Sequence, residues 1–257
     1  MAKSLLSGER KSILLGNAAA HHAKASSLLA IAHWIGEQTG ATVGYLTEAA
    51  NTVGAQLAGA LPGAGGLHAG QMLAGGLKAL ILLNTEPAFD AARAAAPIGQ
   101  GGMVVTLSPF KCNTDISDVL LPIAPFTETP GTFVNAEGRV QGFHAVVKPL
   151  GETRPAWKVL RVLGNTLGLP GFEFASAQEV LAAARGAQDV QQDFVQGHVL
   201  SNATSAAIDL SPAAGRPVSA AIYQLDGIVR RAPSLQSTAD ARAGCGSPAP
   251  ADAGVTA

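Results

Sequence analysis

The sequence predicts an α/β fold, a parallel sheet with flanking helices, ending in a disordered C-terminal tail. Three observations predict it. Short apolar runs that stop at glycine or asparagine, Ser12–Gly16 and Lys78–Asn84, have the continuous hydrophobicity of strands covered on both faces. Helical patterns alternate with such runs, the order that builds parallel βαβ units. The last segment, Ala241–Ala257, is rich in Ala, Gly and Pro and has almost nothing to bury.

The elements follow in chain order. Ser12–Gly16 is the first strand. After a polar loop with Asn17, His21 and His22, Leu28, Ile31, Ala32 and Ile35 recur at i, i+3, i+4 and i+7 on one helical face, and Gly40 supplies a stop. Thr42–Tyr45 completes the unit as a second strand. Residues 51–76 are saturated with Gly and Ala, which fits close backbone packing or a mobile loop equally well. Lys78–Asn84 is the clearest strand, Glu86–Ala96 a short helix with Pro87 in its first turn, and Met103–Leu107 and Val119–Leu121 are further strands. Arg154–Gly168 reads as a helix with Thr153 as N-cap and Pro155 in the first turn. Its apolar face is Ala156, Leu160, Leu163 and Leu167, and its polar face Arg154, Lys158, Arg161 and Asn165. Ser176–Arg185 is a second helix. Val218–Tyr223 and Gly227–Val229 read as short extended pieces. The domain reading is therefore an α/β domain over 1–186, an extension over 187–240 and a tail over 241–257.

Composition bounds the function. Of 257 residues 47% are apolar and only 14% charged, yet no run approaches the roughly 18 to 20 apolar residues of a membrane-spanning helix. The excess apolarity points to buried strands and to surface covered by partner proteins, without direct membrane insertion. A net charge of −1 with no block of like charge argues against nucleic acid. The N-terminus MAKSLLSGERK has no long apolar stretch and no small-residue cleavage site, which argues against secretion. Cys112 and Cys245 are the two cysteines; an iron–sulfur cluster normally takes four thiolates and a zinc site four ligands. No metal site is expected, and Cys112 reads as a reduced thiol.

Most candidate motifs have a plain structural reading. Pro62–Gly70 places Gly63 and Gly65 as a dinucleotide fingerprint would, but His68 stands at the third glycine position, and the stretch precedes a strand instead of following one. His21 and His22 lie beyond the first strand, at the edge where α/β folds bind ligands, with no carboxylate or cysteine at ligand spacing. His33, on a helix, reads as a half-buried packing residue. No G-x-S-x-G elbow exists, and nothing places a histidine beside Cys112. Asp115, Asp118, Glu128 and Glu137 read as turn or surface residues. No catalytic residue is assigned.

Val119–Gln141 carries more. Thr129-Pro130-Gly131 fits a type II turn with glycine at the φ > 0 position. Asn135 and Gly138 bracket a reversal between Thr132–Val134 and Arg139–Gln141, a hairpin that a Glu137–Arg139 charge pair would lock. The pattern T-E-x-x-G-T-F-x-N-x-E-G-R-x-Q, filled by Thr127, Glu128, Gly131, Thr132, Phe133, Asn135, Glu137, Gly138, Arg139 and Gln141, resembles the molybdopterin oxidoreductase signature. Asp118–Pro122 and Pro149–Gly164 are similar to that family as well. Residues 13–22 (ILLGNAAAHH), 50–73 and 78–87 (KALILLNTEP) resemble its branch in NADH-quinone oxidoreductase (respiratory complex I), where the family supplies a large subunit.

The resemblance implies Rossmann-like units of a molybdopterin oxidoreductase-like domain. It implies no cofactor in this chain: the family's iron–sulfur clusters sit in a cysteine-rich N-terminal part that has no counterpart here, and the large complex I subunit generally carries no molybdenum. Asn135, Glu137, Arg139 and Gln141 are then vestigial cofactor-binding candidates. The implied role is a scaffold of the peripheral arm of the proton-translocating enzyme. Its partners would be the other peripheral-arm subunits, and its place the cytoplasmic face of the bacterial inner membrane. The alternatives are a fragment of a molybdopterin-dependent enzyme of the formate-dehydrogenase kind and a free-standing module that binds a ligand through the Gly-rich loop at 51–76.

Overall fold

Strands β1 (Ser12–Leu15) and β2 (Thr42–Tyr45) pair in parallel, Ser12 opposite Thr42, as the alternating pattern predicts. The computed structural model describes residues 2–91, 101–185, 200–212 and 222–244. Its contacts divide the chain into two units, Met1–Glu48 with Asn202–Ala257, and Ala49–Ser201.

In the first unit a terminal helix α1 (Ala2–Ser7) precedes β1, and α2 (Asn17–Ala20) and α3 (Ala25–Thr39) make the crossover to β2. Gly40 ends α3 in the left-handed conformation, φ +72°, with its amide on the Gly36 carbonyl at 2.7 Å. The buried residues of α3 are small: Ser27, Ala30, Ala32 and Gly36; the predicted stripe of Leu28, Ile31 and Ile35 is only half buried. Close approach explains the shift. A Cβ on Gly36 would stand 2.8 Å from the Ala41 carbonyl oxygen, so a larger residue would push helix and strand apart.

The rest of this unit departs from the sequence reading. Ile222–Gln224 is a 3-10 turn and Gly227–Arg230 a helical turn, where the sequence predicts extended pieces. Asp226 explains it: its carboxylate accepts the amides of Ile228 (2.7 Å) and Val229 (3.4 Å), an N-cap that no hydrophobic period reveals. Helical turns Pro233–Gln236 and Ala239–Gly244 follow, so order extends past Ala241, whose side chain is buried. Residues 218–221 and 245–257, with Cys245, and His198 lie outside the described residues.

In the second unit the Gly/Ala-rich stretch resolves into α4 (Thr52–Leu57) and α5 (Ala69–Leu73). His68 opens α5 with a capping box: its Nδ1 accepts the Gln71 amide at 3.3 Å, and Gln71 Oε1 accepts the His68 amide at 3.0 Å. Residues 61–70 are exposed, and the strand comes after them, so no phosphate loop forms there. Strands β3 (Ala79–Leu83), β4 (Met103–Ser108) and β5 (Val119–Pro122) form a parallel sheet with β4 central. Val104, Thr106, Leu107 and Ser108 are buried, while Ile81, Leu83, Met103 and Val119 leave an apolar row exposed. Of the helix expected over Glu86–Ala96, the described part is α6 (Pro87–Asp90), with Pro87 in its first turn; 92–96 lie outside the described residues.

An antiparallel hairpin, β6 (Gly131–Val134) with β7 (Val140–Phe143), precedes α7 (Ala156–Thr166) and α8 (Ala177–Arg185). Pro155, not Thr153, is the N-cap of α7; the Thr153 hydroxyl donates to the Leu150 carbonyl at 2.7 Å instead. Leu167 of the predicted apolar face is exposed because the helix has ended: Gly168 turns left-handed at φ +67°. The predicted polar face grips the returning chain. Arg161 Nη1 donates to the Phe174 carbonyl at 2.6 Å and Asn165 Nδ2 to that of Phe172 at 3.2 Å. At the start of α8 the Ser176 hydroxyl accepts the Glu179 amide at 3.2 Å, and Glu179 Oε2 accepts the Ala175 amide at 2.7 Å.

Gly164 of α7 lies under the Phe172 ring, where an added Cβ would stand 2.5 Å from ring carbons. Gly164→Ala should therefore lower stability by about 1 kcal/mol net, overpacking outweighing the helix propensity gained. Urea denaturation measures it, and a variant more stable than the parent would show that Phe172 yields freely.

Candidate functional site

The segment leaving β5 is tied down at three points. Ile123 and Ala124 are buried, and the Ala124 amide donates to the Arg154 carbonyl at 2.9 Å. Pro125 ends the extended run, and a 3-10 turn, Phe126–Glu128, follows. The Thr127 carbonyl accepts the Val146 amide at 2.8 Å, and Glu128 Oε2 accepts the Leu150 amide at 2.9 Å. Glu128 thus acts as an acceptor for backbone that has no strand partner, a charge-assisted bond of the stronger kind.

The hairpin pairs Gly131 with Phe143 and Val134 with Val140. Gly131 is not the φ > 0 residue of a type II turn; it opens β6, extended. It has to be glycine for another reason: a Cβ there would stand 2.5 Å from the Phe143 ring, which also meets Phe133 edge-on with centroids 4.8 Å apart. Gly138 supplies the left-handed turn, φ +82°. Asn135 organises it: its Oδ1 accepts the amides of Glu137 (3.1 Å) and Arg139 (2.9 Å). Glu137, Arg139 and Gln141 are exposed, and the expected Glu137–Arg139 ion pair is not among those of the described residues. In a hairpin already closed by Asn135, nothing holds the two charges together. The four vestigial candidates, Asn135, Glu137, Arg139 and Gln141, share one hairpin.

Sequence reasoning missed Asn51. It stands at the N-cap of α4, yet its side chain makes no capping bond; Oδ1 accepts the Val134 amide at 2.8 Å. Leu57 and Val134 form a small buried cluster with Val53 and Val140 around this bond. Gly54 leaves room for it, since a Cβ there would stand 2.1 Å from Asn51 Oδ1. An asparagine before a helical stretch was the available signal, but it points to an N-cap, not to a strand 83 positions away.

A second polar cluster sits at the carboxyl edge of β3–β4–β5, where α/β folds bind ligands. Asn84 and Asn113 are the non-glycine residues with φ > 0 among those described, +49° and +54°. Asn113 Nδ2 donates to the Thr85 carbonyl at 2.9 Å, Thr106 and Ser117 share a hydroxyl bond of 2.7 Å, and the buried Cys112 thiol donates to Ser108 Oγ at 3.2 Å. Among the described residues the recorded partner of the thiol is the Ser108 hydroxyl. In the first unit, His21 pairs with Glu48, and His22 Nδ1 accepts the Lys24 amide at 3.0 Å. Among the described residues no three metal-ligating side chains cluster.

A pterin nucleotide needs a walled cavity and free donors for its phosphates. The depression lined by Met72, Gly75, Gly76, Leu77, Leu80, Gly102 and Met103 is apolar, lies at the amino edge of the sheet, and encloses about 10 Å³, room for one water. Asn135 Oδ1 and Glu128 Oε2 are acceptors, engaged on backbone amides, and supply no donor to a phosphate. That depression and these two side chains do not by themselves fit the group.

Asn51→Ala should cost about 1–3 kcal/mol, because the amide of buried Val134 loses its acceptor. Glu137→Ala and Gln141→Ala should stay within about 0.5 kcal/mol. Equal losses for all three in denaturant titrations would mean that Asn51 does not hold the hairpin.

The sequence profile of the family described as "Molybdopterin oxidoreductase" matches residues 3–166, more than half of the chain. A Staphylococcus aureus protein (strain bovine RF122 / ET3-1) named "Putative formate dehydrogenase" is 46% identical over 66 residues, 26% of this chain and 7% of that protein. Its counterpart of the same name in strain USA300 is 42% identical over 52 residues, 20% of this chain and 5% of its own length. The matched stretch thus spans less than a tenth of either relative. With the hairpin signature in its place after a parallel sheet, the chain belongs to the molybdopterin oxidoreductase family.

Proposed function

We propose that this chain is a structural segment of a larger oxidoreductase, holding the carboxyl-edge loops and the signature hairpin while redox centres are carried elsewhere in the assembly. One observation carries the reading: two signature residues accept backbone amides of this chain, Glu128 through Oε2 and Asn135 through Oδ1. Such residues hold a loop in shape whether or not a ligand is near.

Two parent enzymes fit that role. The names of the relatives support an enzyme of the formate-dehydrogenase kind, in which Arg139 and Gln141, exposed on the hairpin, would face a pterin nucleotide walled in by other parts of the protein. Residues 13–22, 50–73 and 78–87 support the large subunit of NADH-quinone oxidoreductase, in which the segment is a scaffold of the peripheral arm on the cytoplasmic side of the inner membrane. No helix among the described residues is long and apolar enough to cross a membrane, so in either parent an attachment through these residues would be peripheral.

Purifying the chain with its partners from the cells that make it tests both. Molybdenum or tungsten with formate-dependent dye reduction supports the first parent. NADH-dependent quinone reduction with iron but without molybdenum supports the second. A chain that purifies alone, free of both activities, sinks the proposal of a larger assembly.

A further inference from the structure

The segment Asn202–Ser211 has no helix and no ladder, yet its backbone is held at both ends to the β1–α3–β2 unit of its own packing unit. At one end Asn202 Nδ2 donates to the Val43 carbonyl at 3.0 Å, and the Asn202 carbonyl meets His33 Nε2 at 3.0 Å. In the middle the buried Ser27 hydroxyl donates to the Ala207 carbonyl and accepts the Asp209 amide, both at 3.0 Å. At the other end Lys24 Nζ pairs with Asp209 Oδ2 at 2.7 Å and donates to Ser211. The segment therefore runs along α3 from its middle to its N-cap, which is Lys24. That N-cap is where the loop leaving β1 enters the helix, so the Lys24 end lies at the carboxyl edge of β1–β2.

The two ends differ in kind. The Asn202 end is fixed by neutral bonds among half-buried groups. The Asp209 end, beyond its Ser27 bond, is closed by an ion pair whose carboxylate side is 54% exposed and whose Lys24 side is 19% exposed, beside the outward-facing Ile208 and Leu210. Exposed pairs contribute little and are screened by salt. We propose that Asn202–Ser211 is a strap with a releasable latch: the Lys24–Asp209 pair lets its far end peel from the carboxyl edge of β1–β2 while the Asn202 end stays anchored. Release would uncover the first turn of α3, where Lys24 and Ser27 meet the segment. Salt is the lever. Hydrogen bonds from Lys24 and from the Ser211 hydroxyl and amide hold the Asp209 carboxyl well below its ordinary range.

Hydrogen exchange followed by mass spectrometry on the full chain tests this. Lys24→Met, and separately 1 M NaCl on the unaltered chain, should each speed exchange over 207–211 about two- to fivefold, the range an exposed ion pair supports. Exchange at 202–204 and in β3–β4–β5 should not change. Salt should then add nothing to Lys24→Met. Unchanged exchange over 207–211 in both arms overturns the latch. Equal acceleration over 202–204 overturns the anchored strap, because the segment would then be leaving as a whole.

Discussion

A backbone amide without a strand beside it still needs an acceptor, and this chain depends on side chains to provide one. Its strands are four to six residues long, so each leaves its unpaired groups close behind. Val134 finds Asn51, Leu150 finds Glu128, Val104 finds Asp118, Asp209 finds Ser27. Apolar burial adds to this but is thin: Leu57 and Val134 with two half-buried neighbours make up the cluster under the hairpin. The shape of the loops is therefore set by individual polar contacts, and a deep core does little of that work.

That arrangement decides what the sequence could reveal. Continuous apolar runs announce β1, β3 and β4, although Leu14, Ile81, Leu83 and Met103 in those runs are exposed and the expected cover on both faces is not seen among the described residues. Asn135 and Gly138 announce the hairpin, since a tight reversal requires those residue types locally. Contacts between distant residues leave no such imprint. Asn51 meets Val134 across 83 positions and Asn202 meets Val43 across 159, and neither pairing has a period or a spacing to read. The helical turns from Gly227 onward escape a reading by period because a single cap at Asp226 sets them, not a stripe of apolar residues.

The candidate site was legible as a place and not as a purpose. The signature lies in the 3-10 turn Phe126–Glu128, in β6 and β7, and in the turn between those strands. Which atoms it leaves free was hidden. Gly131 looks like a turn residue and proves to be clearance for a ring; Glu137 and Arg139 look like a clasp and prove to be separate. At the carboxyl edge of the larger sheet, Asn84 and Asn113 take up a left-handed backbone that glycine would adopt with less strain. Asn113 offsets that with its bond to Thr85, a gain visible only once the two loops are seen side by side.

Asn135 has one further consequence, for how such chains are inherited. A residue kept because it folds a turn stays under selection for as long as the turn is needed, whatever has become of the ligand nearby. Here two backbone amides depend on its single oxygen. A lineage could lose its metal chemistry entirely and still keep Asn135 and Gly138, the two positions the turn itself requires. Those two residues, met in another sequence, would identify this turn and leave the presence of a metal to be decided by other residues.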